Sequence, residues 1–308
     1  MKLYDAVVVG AGPAGITAAM YLVRSGCSVA LVEQLTPGGQ VLQTEAIENY
    51  PGFPKGIKGW ELADAFAAHL DGLELDRFTG GVVSLASEGD VHTLTMEGQT
   101  LQGRTVIVCS GARHRPLGLP DEARLTGHGV SYCAVCDGNF FRGQQVAVVG
   151  GGNTALEESL YLAKIAAHVH LIHRRDSFRG AKIYQDRIAA LPEKITVVRN
   201  AVVEQLHGDK DLESLTLRDV VSQAQSELAV NGLFVFVGNE PGTAFLPETV
   251  KKNAQGFILT DAEMRTSAAG IFAAGDVRAK LCRQVVTAAG DGATAAQAAF
   301  VYLEQLHG

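Results

Sequence analysis

One glycine-rich pattern, met twice at a fixed distance, restricts what this chain can fold into more than any other feature. Near the start, Tyr4-Asp5-Ala6-Val7-Val8-Val9 reads as a buried strand leading into Gly10-Ala11-Gly12-Pro13-Ala14-Gly15, with a helix predicted from about Pro13 to Ser25. Gly10 allows the sharp turn, Gly12 lets a pyrophosphate approach the backbone, and Gly15 lets the helix pack closely on the strand. The helix start adds amides and the positive end of a dipole. A second strand, Ser28 to Val32, ends in Glu33, whose carboxylate lies about 20 residues on, where it accepts hydrogen bonds from a ribose.

Shifted by 140 residues, the pattern returns. Gln145 to Val149 is again a buried strand, followed by Gly150-Gly151-Gly152-Asn153-Thr154-Ala155 and a helix to about Ala163. The next strand, His168 to Ile172, ends at His173, which is Glu33 plus the same 140. Here the acid is absent, and Arg174, Arg175 and Arg179 follow instead. A carboxylate repels a 2'-phosphate, whereas guanidinium groups bind it through paired, charge-assisted hydrogen bonds. The first site therefore suits FAD, and the second suits NADPH better than NADH; the competing reading of the three arginines is a solvated basic loop.

Three more apolar strands end in small-residue turns: Thr105 to Cys109 before Ser110-Gly111-Ala112, Leu233 to Val237 before Gly238, and Gly270 to Ala274 before Gly275-Asp276. Asp276 thus stands at a carboxyl end, where ligands of open α/β sheets bind. An Ala-rich helix is predicted from Gln284 to Gln305. The fold class is α/β, with two Rossmann-like dinucleotide-binding domains, and since no Pro- or Ser-rich linker divides the chain, one domain is inserted in the other. Gly is 35 of 308 residues, an excess that these turns begin to explain.

Composition excludes several function classes. The net charge of -7 argues against a basic nucleic-acid surface. The uncharged stretch from Ala6 to Val23 is broken by Gly10, Gly12, Pro13 and Gly15, so it reads as strand, turn and helix rather than a membrane span, and the protein is expected to be soluble and cytoplasmic. Five cysteines do not make a secreted disulfide framework. Two of them stand as Cys133-Ala134-Val135-Cys136, followed by Asp137-Gly138. A Cys-x-x-Cys serves as half of a zinc site or as a redox dithiol; Cys27, Cys109 and Cys282 are too scattered to supply the other half, so no metal is expected. Asp137 is placed to give or take the proton that thiol-disulfide exchange requires, and it is also an ordinary Asp-Gly turn residue. A hydride donor site, a flavin site and a dithiol together describe a path for electrons.

At this point the chain resembles the low-molecular-weight bacterial thioredoxin reductases over essentially its whole length. The resemblance rests on Gly10 to Gly15, Pro37-Gly38-Gly39-Gln40, Glu48-Asn49-Tyr50-Pro51-Gly52, Cys133 to Gly138, Gly150 to Ala155, His173 to Arg179, Phe272 to Asp276 and Arg283-Gln284. It implies a homodimer with residues 1–113 and 244–308 binding FAD, and residues 114–243 binding NADPH and carrying the cysteine pair. It implies that Gly38, Gly39, Gln40 and Asn49 contact the flavin nucleotide, with Gly111 and Ala112 beside them. Gly275 and Asp276 would serve the ribitol, and Arg283, Gln284 and Val285 would lie along the isoalloxazine. Gly238 would join the NADPH site. Cys136 would face the flavin, Cys133 would attack thioredoxin or a thioredoxin-like partner, Asp137 would be the acid/base, and the inserted domain would rotate between the two half-reactions. Two departures stand out: Cys109-Ser110-Gly111 where the family has Ala-Thr-Gly, and Ala-Val inside the pair where Ala-Thr is commoner. Competing readings keep the fold but change the donor to a carrier such as ferredoxin, change the acceptor to a peroxidase subunit, or make the chain a flavin-bearing redox sensor.

Overall fold

The computed structural model describes residues 2–44 and 46–307. Residues up to Arg113 together with those from Glu240 onward form one compact unit, and His114–Asn239 forms the other. The second crossing falls four residues before the 243/244 boundary expected from the sequence. The reason is local: the Gly242 N–H donates to Gly111 O at 3.0 Å, which ties that stretch to the first unit.

The first unit is built on strand Leu3–Val9, seven residues that are buried from Ala6 onward because both faces of the sheet are covered, Ala6 and Val8 packing with helix residues Ala14, Ala18 and Ala295, and Val7 and Val9 with Leu85, Leu94 and Leu246, which lie outside any helix. It pairs in parallel with Val29–Glu33 on one side, Val8 opposite Leu31, and with Gln99–Val108 on the other, Val8 opposite Ile107. Asp76–Thr79 extends one edge and Ile271–Ala273 pairs with Val106 to Val108. The predicted strand at Thr105 is only the second half of Gln99–Val108. Its first half carries an antiparallel ribbon, Val91–Met96 and Val82–Glu88, that the sequence reading did not foresee. Helix Pro13–Arg24 packs on the last helix, Val285–His307, through Ala14, Ala18, Ala295 and Ala299. The approach is close enough that a Cβ on Gly292 would lie 2.2 Å from Ala14 O.

The second unit repeats the plan. Its parallel sheet runs Val130–Ser131, Gly232–Phe236, Gln145–Gly150, His168–His173, Ile195–Arg199, with helix Asn153–Leu162 following the glycine turn. Val149 stands opposite both Ile172 and Val235. A separate antiparallel sheet of Ala201–His207, Ser214–Asp219 and Gln225–Ala229 covers Ala147, Ile172 and Leu233 with Leu206, Leu215 and Leu217.

Candidate functional site

In the first unit the glycine turn is sterically obligatory. Gly10 has φ +102°, and a Cβ there would lie 2.4 Å from Cys109 O; a Cβ on Gly15 would lie 1.7 Å from Gly10 O. Gly12 is the opposite case. Nothing lies within 4 Å of its Cβ position, and the helix it opens, with Pro13 and Ala14 in the first turn, has no side-chain cap. Amides left open beside a gap that only glycine creates fit a pyrophosphate. The other expected first-unit residues gather around this turn. Gly38 N–H donates to Ala11 O at 2.8 Å, and a Cβ on Gly39 would come within 3.2 Å of Gly12 Cα. The Gln40 amide donates to Ala112 O, next to Gly111. Asn49 Nδ2 donates to Gln284 Oε1 at 3.0 Å, and Gly275 lies against Ala14.

Glu33 stands at its strand end as the spacing requires, accepting Ala11 N–H at 2.7 Å and Leu35 N–H at 3.0 Å. A carboxylate has about four lone-pair sites, so capacity remains for a ribose. The Arg283 guanidinium lies 4.1 Å over the Phe257 ring and donates to Asp276 O at 3.4 Å, and burial pushes its pKa below the usual value. Val285 packs on the cluster of Val41, Ile47 and Leu62.

In the second unit a Cβ on Gly150 would lie 2.6 Å from Phe236 O, whereas Gly152 again has open space and an uncapped helix start, with Asn153 and Thr154 exposed and Ala155 buried. The arginine-bearing loop folds back onto this turn. Gly151 O accepts the Arg179 N–H at 2.8 Å and the Gly180 N–H at 3.0 Å, and Asn153 Oδ1 accepts the Ala181 N–H at 2.7 Å. Arg174, Arg175 and Arg179 are exposed, and among the described residues no carboxylate forms an ion pair with them. Three unneutralised guanidiniums beside an open helix start suit a nucleotide carrying an extra phosphate. His173 is different in kind. Its ring is buried against Gly151, whose Cβ would lie 2.2 Å from it, and its Nε2 bonds Ser177 O at 3.0 Å. Burial, and then the neighbouring guanidiniums, lower its pKa, so it supports the turn from behind as a neutral ring. Gly238 O accepts the Arg115 N–H at 2.9 Å.

Cys133 and Cys136 form a disulfide with Cα atoms 5.3 Å apart. Cys133 opens the short helix Ala134–Asp137, its sulfur accepting the Cys136 N–H at 3.2 Å. Both cysteines are half-buried, while Val135 and Phe140 beside them are 38% and 48% exposed. An accessible disulfide with apolar surface around it is suited to a protein partner. The Asp137 carboxylate accepts a 2.6 Å hydrogen bond from Ser131 Oγ. Tyr132 donates to Glu122, a buried carboxylate that also takes the amides of Leu117, Gly118 and Leu119.

With this geometry in place, a family model described as pyridine nucleotide-disulphide oxidoreductase matches residues 4–292. The chain belongs to that family. A thioredoxin reductase of Listeria innocua is 44% identical over 307 residues, 99% of this chain and 95% of that one. A thioredoxin reductase of Bacillus subtilis is 40% identical over 306 residues, covering 99% and 96%. Among solved structures, thioredoxin reductase from Streptococcus pyogenes superposes with a TM-score of 0.93 at 43% identity, covering 98% of this chain and 99% of that one. These likenesses agree with the resemblance read from the sequence.

The remaining thiols fit a family member whose redox work is confined to one pair. Burial pushes the Cys27 thiol up to about 11 and raises that of Cys109 further, so neither forms thiolate near pH 7. Cys282 is exposed. Titration of the native oxidised protein with a thiol reagent should therefore show one fast thiol, removed by Cys282→Ser; two or more fast thiols would contradict this. Among the described residues no cluster of His, Cys, Asp and Glu could hold a metal, and no helix is long and apolar enough to cross a membrane. Sequence reasoning missed Ser131, Glu122 and Asp291, whose partners are set by the fold and follow no motif.

Proposed function

We propose that the protein reduces the disulfide of thioredoxin with NADPH as donor and FAD as bound relay. The observation that carries this reading is the half-buried Cys133–Cys136 disulfide, flanked by Asp137 and exposed apolar side chains, in a chain whose relatives at 40–44% identity are thioredoxin reductases. FAD would be held by Gly10, Gly12, Pro13, Ala14, Gly15, Glu33, Gly38, Gly39, Gln40, Asn49, Gly111, Ala112, Gly275, Asp276 and Arg283 to Val285. It supplies, when bound, the coupling between two-electron hydride chemistry and thiolate chemistry. NADPH would be held by Gly150 to Ala155 and Gly238, with Arg174, Arg175 and Arg179 on its 2'-phosphate and His173 supporting the turn.

In the reduced pair, the Cys136 N–H stabilises negative charge on Cys133 Sγ, which attacks the thioredoxin disulfide. Cys136 then loses its proton to the Asp137 carboxylate as its sulfur bonds Cys133, expelling the thioredoxin sulfur as a thiolate. The pair and the nucleotide turn share one unit that joins the other by two single crossings, at 113/114 and 239/240, which suits a hinge between half-reactions. A cytoplasmic homodimer belongs to the same reading, supported by the resemblance.

The test is coupled turnover of purified protein with NADPH or NADH and a set of oxidised thioredoxins. Bound flavin, turnover with at least one thioredoxin, and an NADPH preference are expected. Arg175→Ala should cut kcat/KM for NADPH by about tenfold or more and leave NADH nearly unchanged, the cost of a charged hydrogen bond. Protein that binds no flavin, or turns over no thioredoxin, would overturn the function; equal efficiency with both nucleotides would overturn the 2'-phosphate assignment.

A further inference from the structure

Ser131 is 4% exposed and ends strand Val130–Ser131, where pairing with Phe234 on the neighbouring strand fixes its backbone. Its hydroxyl lies 2.6 Å from Asp137 Oδ2 and 3.3 Å from Cys133 O, and it accepts the Cys133 N–H at 3.1 Å. One hydroxyl has one hydrogen. The shorter contact takes it, at a length typical of O–H donation to a charged carboxylate. The result is a directed chain from Cys133 N–H to Ser131 Oγ–H to Asp137 Oδ2. It joins the backbone of the first cysteine to the carboxylate across the pair, and it is anchored in the sheet outside the redox loop.

We propose that Ser131 is a positioning residue of the dithiol site, holding the Asp137 carboxylate oriented and ionised while it fixes the backbone of Cys133. This rests on the reading of Asp137 as the base that takes the Cys136 proton. A hydrogen bond donated to the charged form favours that form, so removing the hydroxyl raises the proton affinity of Asp137. The base is then ionised only at higher pH.

Few other titratable groups sit on the elements around Asp137. Strand Gly232–Phe236 carries none. Tyr132 is committed to Glu122, and Arg142, after the turn Gly138–Phe141, to Asn139 at 3.0 Å. Helix Asn153–Leu162 packs on the redox helix, and its Tyr161 and Leu162 abut Gly138; Glu158 lies one turn earlier on that face. Burial, with Glu157 adding to it, pushes the Glu158 carboxyl up to about 7, so it needs its own control.

The experiment measures thioredoxin reduction by flavin-loaded protein against pH for wild type and for Ser131→Ala, Ser131→Thr, Ser131→Val, Asp137→Asn and Glu158→Gln. Thr and Val differ by the hydroxyl alone, so they keep the comparison valid if the Ala variant folds poorly. We expect Ala and Val to move the acid-side inflection up by about one pH unit, a roughly tenfold loss below it and near-recovery above it, with Thr like wild type. Glu158→Gln should leave the inflection in place. An unmoved inflection in Ser131→Ala and Ser131→Val, or a loss equal at every pH, would overturn the role of Ser131 while leaving Asp137 as base. If Asp137→Asn keeps both rate and inflection, the reading of Asp137 itself fails, and the proposal with it.

Discussion

Cys133→Ser should lower NADPH-dependent thioredoxin reduction by at least about a thousandfold while leaving bound flavin and its bleaching by NADPH intact. Thiolate is the nucleophile in disulfide exchange, and a serine hydroxyl offers no comparable anion near pH 7. Even if Cys136 attacked in its place, the mixed disulfide would have no second sulfur to resolve it. The pair is a local device, with Cα atoms 5.3 Å apart, so the change leaves the two glycine turns at 10–15 and 150–155 untouched. Cys136→Ser completes the argument. If Cys133 is the attacking sulfur, that variant forms a stable mixed disulfide with thioredoxin, seen as a covalent complex on a non-reducing gel, and Cys133→Ser does not. Retained thioredoxin reduction in Cys133→Ser would mean that electrons leave by another route.

What could be read from the sequence has a common physical character: its cause lies within a few residues. Gly10 has a φ of +102° and a Cβ on Gly15 would strike Gly10 O five residues back, so these requirements are written where they act; the clash of a Gly10 Cβ with Cys109 O is the part that only the fold adds. The cysteine pair, closing across three residues, is equally local. The antiparallel sheet at 201–229 was illegible because a register shift between Val203 and Gln205 breaks the alternation that would reveal it, while Arg218 and Glu204 pair on its outer surface. The ribbon at 82–96 carries a similar shift between Val82 and Ser84. Position and orientation also separate at His173. Spacing places it at the strand end, but its ring turns into the space left by Gly151, which only the fold decides. Ser131 carries no motif at all, because its meaning comes from where the sheet delivers its hydroxyl.

Asp291 is the strongest case of a residue known only from the fold, and Asp291→Ala should destabilise the first unit by about 3–5 kcal/mol. Its Oδ2 accepts from Gly275 N–H at 3.0 Å, from Lys280 Nζ at 2.9 Å and from Arg278 at 2.9 Å. The three side chains are only 10 to 13% exposed. Without the carboxylate, two largely buried cations keep hydroxyl partners, Thr260 for Arg278 and Thr287 for Lys280, but the nearest acid to Lys280 is Asp276 at 3.8 Å. Such orphaned charge costs more than the pair contributes when intact. The Gly275 amide loses its acceptor as well, and with it the anchor of the turn that carries Asp276. Flavin should therefore be retained poorly, and thermal release of flavin fluorescence should fall by on the order of 10 °C. Asp291→Asn keeps an acceptor for Gly275 without the charge, so its loss should be intermediate. If orphaned charge is the cause, adding Lys280→Met to Asp291→Ala should recover part of the loss, since it removes one of the two unpaired cations. A double variant less stable than Asp291→Ala would instead assign the effect to lost packing.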